Sequence, residues 1–170
     1  MKKIFKIGCT IVLLMVMLVE RLSVEAYAFS DSAKAKLPNT TYYVQSNVWQ
    51  STTHWRATHS YKVSAKLYRG KALDEIATAS TIKTTWSGSA TGVAISISGT
   101  YGVATGGGSI STTGNKGFSG SWENTNTWIS DISGTFKISG LPLYGTLSNT
   151  AFAVKDGVKA TATAECFRVY

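Results

Sequence analysis

Residues 55–67 change character at every step. Trp55, Ala57, His59, Tyr61, Val63, Ala65 and Leu67 hold the odd positions, and Arg56, Thr58, Ser60, Lys62, Ser64 and Lys66 the even ones. Successive side chains of an extended strand point to opposite faces, so this segment predicts a strand with one apolar and one wet side. A helix would scatter the same residues around its circumference. The pattern returns at residues 92–103, where Val93, Ile95, Ile97, Tyr101 and Val103 alternate with Ala94, Ser96, Ser98 and Thr100. It returns again at residues 158–166. There Asp156-Gly157 separates the run from the preceding "AFAV". Asp-Gly favours the positive φ angles of a type I′ turn, so a hairpin is predicted at that point.

The rest of the chain fits the same reading. "TYYVQSNVW" is rich in aromatic and β-branched residues, as strands are. "DEIATASTIKTTW" places Ile76, Thr78, Ser80, Ile82, Thr84 and Trp86 on one face. Gly70-Lys71 reads as a turn, and one helical turn at residues 72–76 is the sole competing helix after the leader. Three Ser-Gly pairs precede an aromatic, at Tyr101, Trp122 and Phe136, and read as glycines at bulges or strand entries with the ring packed alongside. Residues 105–109 and 112–117 read as loops, and "ENTNT" as a turn between Trp122 and Trp128. Short strands, turn residues between them and two prolines predict an all-β, single-domain antiparallel β-sandwich, with a Greek-key or barrel-like variant as the other form. Residues 29–40 form a polar lead-in and residues 41–170 the sandwich domain.

The N-terminus reads as a secretory signal peptide over residues 1–28. Lys2, Lys3 and Lys6 precede an apolar run at residues 7–19, interrupted only by Gly8, Cys9 and Thr10. That run is shorter than the ~20 residues a membrane span needs. Ala26-Tyr27-Ala28 is a small-x-small cleavage pattern, so the expected cut follows Ala28 and the expected location is extracellular. Cleavage would remove Cys9 and leave Cys166, which shares an alternating face with Val158, Ala160, Ala162 and Ala164. A buried, inert thiol is expected there, with pairing between chains as the other reading.

Charge narrows the partners. The leader contains Lys2, Lys3, Lys6, Arg21, Glu20 and Glu25, and its loss takes the net charge from +8 to +6. No acid lies between Asp31 and Asp74, while Lys34, Lys36, Arg56, Lys62, Lys66, Arg69 and Lys71 all do. A basic face on a secreted chain suits an anionic cell-envelope polymer, a carbohydrate or a lipid surface. Trp49, Trp55, Arg56, Lys62, Lys66 and Tyr68 are the candidate ligand-binding residues, because aromatic faces stack on rings and cations meet anionic groups. No motif points to a specific nucleic acid.

Catalytic and cofactor chemistry find little here. No serine sits in a G-x-S-x-G elbow. Asp74 and Glu75 are neighbours and would face opposite ways on a strand; only Glu123 and Asp131 flank an aromatic loop. His54 and His59, five apart, would face opposite ways on one strand, so no metal site is expected, and no cofactor either. His59 is expected to be half-buried and hydrogen-bonded. The leading expectation is a secreted, non-catalytic binding or surface-interaction protein.

The alternative starts from charge that is missing. No charged residue occurs from Thr84 to Asn115. Membrane-inserting hairpins alternate apolar with small polar residues, and residues 92–111 have that composition. Val93, Ile95, Ile97, Tyr101 and Val103 would then be the inserting face of a membrane-active, bacteriocin-like toxin. The uncharged polar side of this region has three readings: covered by a second sheet, covered by a partner, or lining a pore. The six residues of "THSYKV" also resemble a segment of lactococcin-type bacteriocins; the rest of the chain does not follow that family's pattern.

Overall fold

The computed structural model describes residues 29–51, 58–90, 94–101, 107–113, 117–139 and 144–169. They form eleven strands: β1 (Phe29–Lys36), β2 (Tyr42–Gln50), β3 (Thr58–Arg69), β4 (Glu75–Ile76), β5 (Ala79–Ala90), β6 (Ala94–Tyr101), β7 (Gly107–Thr113), β8 (Gly117–Thr127), β9 (Ile129–Ser139), β10 (Tyr144–Lys155) and β11 (Val158–Val169). Two antiparallel sheets pack face to face. The front sheet has the order β1-β2-β3-β9-β6, with the short β4 beside the end of β3; the back sheet has the order β11-β10-β5-β8-β7. This is the expected all-β sandwich. The chain changes sheet after β4, β5, β6, β8 and β9.

Alternation decides what each strand buries. In β2, Val44, Ser46, Val48 and Gln50 face inward; in β3, His59, Tyr61, Val63, Ala65 and Leu67 do. The core has two ends. One is aromatic and centres on Tyr61, Trp86, Phe118, Trp122 and Phe136. The other is aliphatic, with Leu37, Leu67 and Ile82 among alanines. Each large apolar side chain taken from water contributes about 1.5–3 kcal/mol, so rings carry most of the first end and four branched residues, Leu37, Val44, Leu67 and Ile82, most of the second.

A polar cross-link ties the two sheets. Asn149 of β10 is fully buried. Its Nδ2 donates to Ser46 Oγ at 3.0 Å and to the Ser64 carbonyl at 3.0 Å, and lies 3.2 Å from the Asn47 carbonyl. Its Oδ1 accepts from Thr84 Oγ1 at 2.6 Å, and Ser46 Oγ donates to its backbone carbonyl at 2.7 Å. Buried polar groups are stable only when bonded, and this side chain satisfies partners on both sheets at once.

Several local expectations are corrected. The polar lead-in contains β1, which pairs residue for residue with β2 and turns Ala33 and Ala35 toward the core. Residues 107–109 and 112–113 are strand, because β7 is laid along β8. "ENTNT" continues β8 against β5, and the chain turns at Trp128 instead. No helix forms among the described residues; residues 71–72 are a turn and Leu73 has φ 62°. The predicted hairpin at Asp156-Gly157 is present, with φ of 52° and 76°.

Two of the three Ser-Gly glycines, Gly120 and Gly134, sit mid-strand opposite rings on the next strand, while Gly99 pairs with Gly134; Gly88 of β5 also faces a ring. Gly120 faces Trp86 and Gly88 faces Phe118 across β5 and β8, and Gly134 faces Tyr61 across β3 and β9. A Cβ on Gly120 would run into the Trp86 ring and the Ser109 carbonyl. The missing side chain is the space the neighbouring ring occupies. His59 is fully buried rather than half-buried, stacked on Phe136 with ring centroids 5.0 Å apart. Cys166 is buried, and burial pushes its thiol up to about 11 from 9.0, which keeps it protonated and unreactive.

Candidate functional site

The outward rows of β2, β3 and β9 make the solvent side of the front sheet. Register sets them in lines: Trp49-Lys62-Ser133, then Asn47-Ser64-Asp131, then Gln45-Lys66-Ile129. Long side chains in the first and third lines flank short ones in the middle line. The result is a groove of about 300 Å³ whose lining includes Asn47, Trp49, Lys62, Ser64, Lys66 and Asp131.

Each end of the groove holds a cation over a ring. Lys62 Nζ lies 5.8 Å from the Trp49 ring centroid, and Lys66 Nζ lies 5.7 Å from that of Trp128. Tyr68 meets Trp128 edge-on at 6.2 Å, and burial raises its hydroxyl pKa. Lys62 and Lys66 are four residues apart, about 14 Å at ~3.4 Å per residue, so the two cation–ring pairs bracket the polar middle line. Asn47 Nδ2 donates to Ser64 Oγ at 3.2 Å and fixes the floor.

Trp128 stands at this position because of the corner between β8 and β9. Asn126 takes φ 53°, Asn124 Nδ2 donates to the Ile129 carbonyl at 3.1 Å, and Ser130 Oγ donates to the Trp122 carbonyl at 2.7 Å. Leu67 N–H then donates to the Trp128 carbonyl at 2.8 Å and docks the corner on β3. The left-handed conformation suits Asn, whose short polar side chain tolerates it.

Four of the six expected binding residues therefore share one face: Trp49, Lys62, Lys66 and Tyr68. Trp55 and Arg56 lie outside the described residues. Asp131, which lines the groove, and Trp128, which stands beside it under Lys66, were not among the expected binding set. The field on this face is positive, since Lys34, Lys36 and Lys137 occupy outward positions on β1 and β9 and Asp131 is the acid among them.

The other expected sites separate. Glu123 is on the outer face of the back sheet, 3.8 Å from Lys83, while Asp131 is on the outer face of the front sheet, so the two carboxylates do not converge. The expected hairpin of residues 92–111 is corrected: β6 pairs with β9 in the front sheet, β7 with β8 in the back sheet, and they lie at the edges of different sheets because the chain crosses between them. Ile95, Ile97 and Tyr101 take the register positions of Ile138, Phe136 and Ile132, and Phe136 and Ile132 are core residues. Val93 and Val103 lie outside the described residues.

Thr84 is buried against Asn149, but the uncharged polar residues Thr85, Ser87, Ser89 and Ser109 are exposed and not covered by the opposite sheet. These lie on the solvent side of the back sheet, where register draws one line of hydroxyl residues across five strands and a second across four, ended by Glu165 on β11. One line is Thr163-Thr150-Thr85-Ser121-Ser109 and the next is Glu165-Ser148-Ser87-Ser119-Ser111. Neighbours bond within this array, as Thr150 with Thr163 at 3.0 Å and Ser89 with Thr146 at 2.8 Å.

Fold and site together define a two-sheet β-sandwich with an aromatic and cationic groove on one outer face. No protein-family model matches the chain, and no curated protein matches it.

Proposed function

We propose that this is a secreted, non-catalytic binding protein whose groove on the front sheet takes an anionic, carbohydrate-bearing polymer of the cell envelope. The observation that carries the reading is the repeated cation–ring pair, Lys62 with Trp49 and Lys66 with Trp128, set at the two ends of a groove floored by Asn47, Ser64 and Asp131. Indole faces stack on sugar rings and the ammonium groups meet phosphate or carboxylate substituents. The amide, hydroxyl and carboxylate between them suit sugar hydroxyls, which both donate and accept. A glycopolymer that alternates neutral rings with anionic groups presents this chemistry at intervals.

The test is co-sedimentation with insoluble cell walls that carry such a polymer and with walls stripped of it. Intact walls bind and stripped walls lose most binding, with affinity falling as salt rises. Trp128→Ala weakens binding about tenfold or more, from the 1–3 kcal/mol a stacked ring contributes. Equal binding to both wall preparations, or a Trp128→Ala protein that binds like wild type, sinks the reading.

A further inference from the structure

The two sides of the sandwich are finished differently. On one side, β1 of the front sheet lies beside β11 of the back sheet, and the Glu165 N–H donates to Asp31 Oδ2 at 3.0 Å across the seam. Both strands carry charge: Asp31, Lys34 and Lys36 on one, Lys159, Glu165 and Arg168 on the other. Charged side chains on an edge strand are a common guard against pairing with another chain. On the opposite side the sheets end in β6 and β7, which carry no charge at all, within a stretch that has none from Thr84 to Asn115.

β6 is the stronger pairing edge. All eight of its residues pair with β9 on one flank, and among the described residues no strand pairs with the other. That leaves a line of backbone donors and acceptors about 27 Å long, at ~3.4 Å per residue. Its sequence, AISISGTY, is rich in β-branched and aromatic residues, whereas β7 opens with Gly107-Gly108, which weakens a strand.

We propose that β6 is an association surface, and that its partner is β6 of a second copy of this chain, joined by antiparallel strand addition about a two-fold axis. The argument for a second copy is electrostatic. In an isologous contact an edge pairs with its own reversed copy, so a charge near the middle of the strand faces its own kind across the axis. An edge with Lys or Asp is repelled; β6 has neither. A basic or acidic peptide would gain nothing from this edge beyond backbone bonds. Joining two front sheets this way makes one continuous sheet and leaves the groove on its outer face open.

The experiment is sedimentation velocity of the purified protein over a range of concentrations. Wild type shows a concentration-dependent species of twice the monomer mass. Ser98 occupies the register of Thr135, on the outward row of β9. Ser98→Lys places like charges near the axis and raises the dimer dissociation constant up to about fivefold per like-charged pair. Ser111→Lys in β7 leaves it unchanged. Should Ser98→Lys not melt cooperatively, Thr100→Lys takes its place, together with hydrogen exchange of wild-type β6 amides, which slows as concentration rises. A wild type that stays monomeric overturns the proposal. So does a Ser98→Lys protein that associates like wild type, a Ser111→Lys protein that dissociates equally, or β6 exchange that ignores concentration.

Discussion

The outer faces of the two sheets are opposites built on similar interiors. The front face is basic and aromatic, with Trp49, Lys62, Lys66 and Trp128 around a groove. The back face is a level field of Ser and Thr in which Lys83 sits near Glu123. Inward, both sheets set a ring against a glycine: Tyr61 opposite Gly134 in front, Trp86 opposite Gly120 behind. Because the strand repeat is two residues, one row specifies packing and the next is free to specify chemistry. The two jobs are interleaved along every strand and do not compete.

That separation can be attacked from the inside first. Asn149→Leu keeps the volume but strips bonds from Ser46 and Thr84, both buried on opposite sheets. Leaving buried polar groups unmet costs about 1–3 kcal/mol each, so urea unfolding of this variant reports a loss of about 3–5 kcal/mol. Gly120→Ala comes next. Its methyl group meets the Trp86 ring and the Ser109 carbonyl, and overpacking of this kind costs about 1–3 kcal/mol in the same measurement. The outward row shows the smallest effect on stability. Lys62→Ser and Ser87→Lys, one on each face, each stay within about 0.5 kcal/mol of wild type. They differ in binding: Lys62→Ser weakens attachment to anionic walls and Ser87→Lys leaves it as it was. A large loss of stability from either outward change would mean that the rows are not independent.

The interleaving also explains what could be read from the residues alone. Strict alternation gave the β class and put Lys62 and Lys66 on one face, since parity along a strand is local; that Trp49 joins them depends on the register of β2 with β3. Asp156-Gly157 marked its hairpin by backbone preference alone. Trp128 escaped because Asn-rich "ENTNT" resembles a turn. Its threonines are strand formers, held by β5, and the real corner needs Asn126 at positive φ followed by a ring. For Gly120 and Gly134 the ring that fills the gap comes from a strand distant in sequence, so no local pattern marks the space. Sheet order is wholly non-local. Nothing in residues 92–111 says that β6 and β7 part company, because that depends on where β8 and β9 have settled.

The Asn149 cross-link also has a consequence in time. It joins Ser46 to a residue 103 positions later, so it closes only after most of the chain has been made and collapsed. Runs such as "KATATAE" would pair almost as well two residues out of step, since the slip keeps the same face inward. A slipped β10 would carry Asn149 away from Ser46 and Thr84 and bury their hydroxyls unmet. The amide thus acts as a proofreader for repetitive strands, accepting one alignment and rejecting its near neighbours. Until it engages, folding is slow in the manner of long-range β pairing, and the uncharged edge strand is exposed for that whole interval.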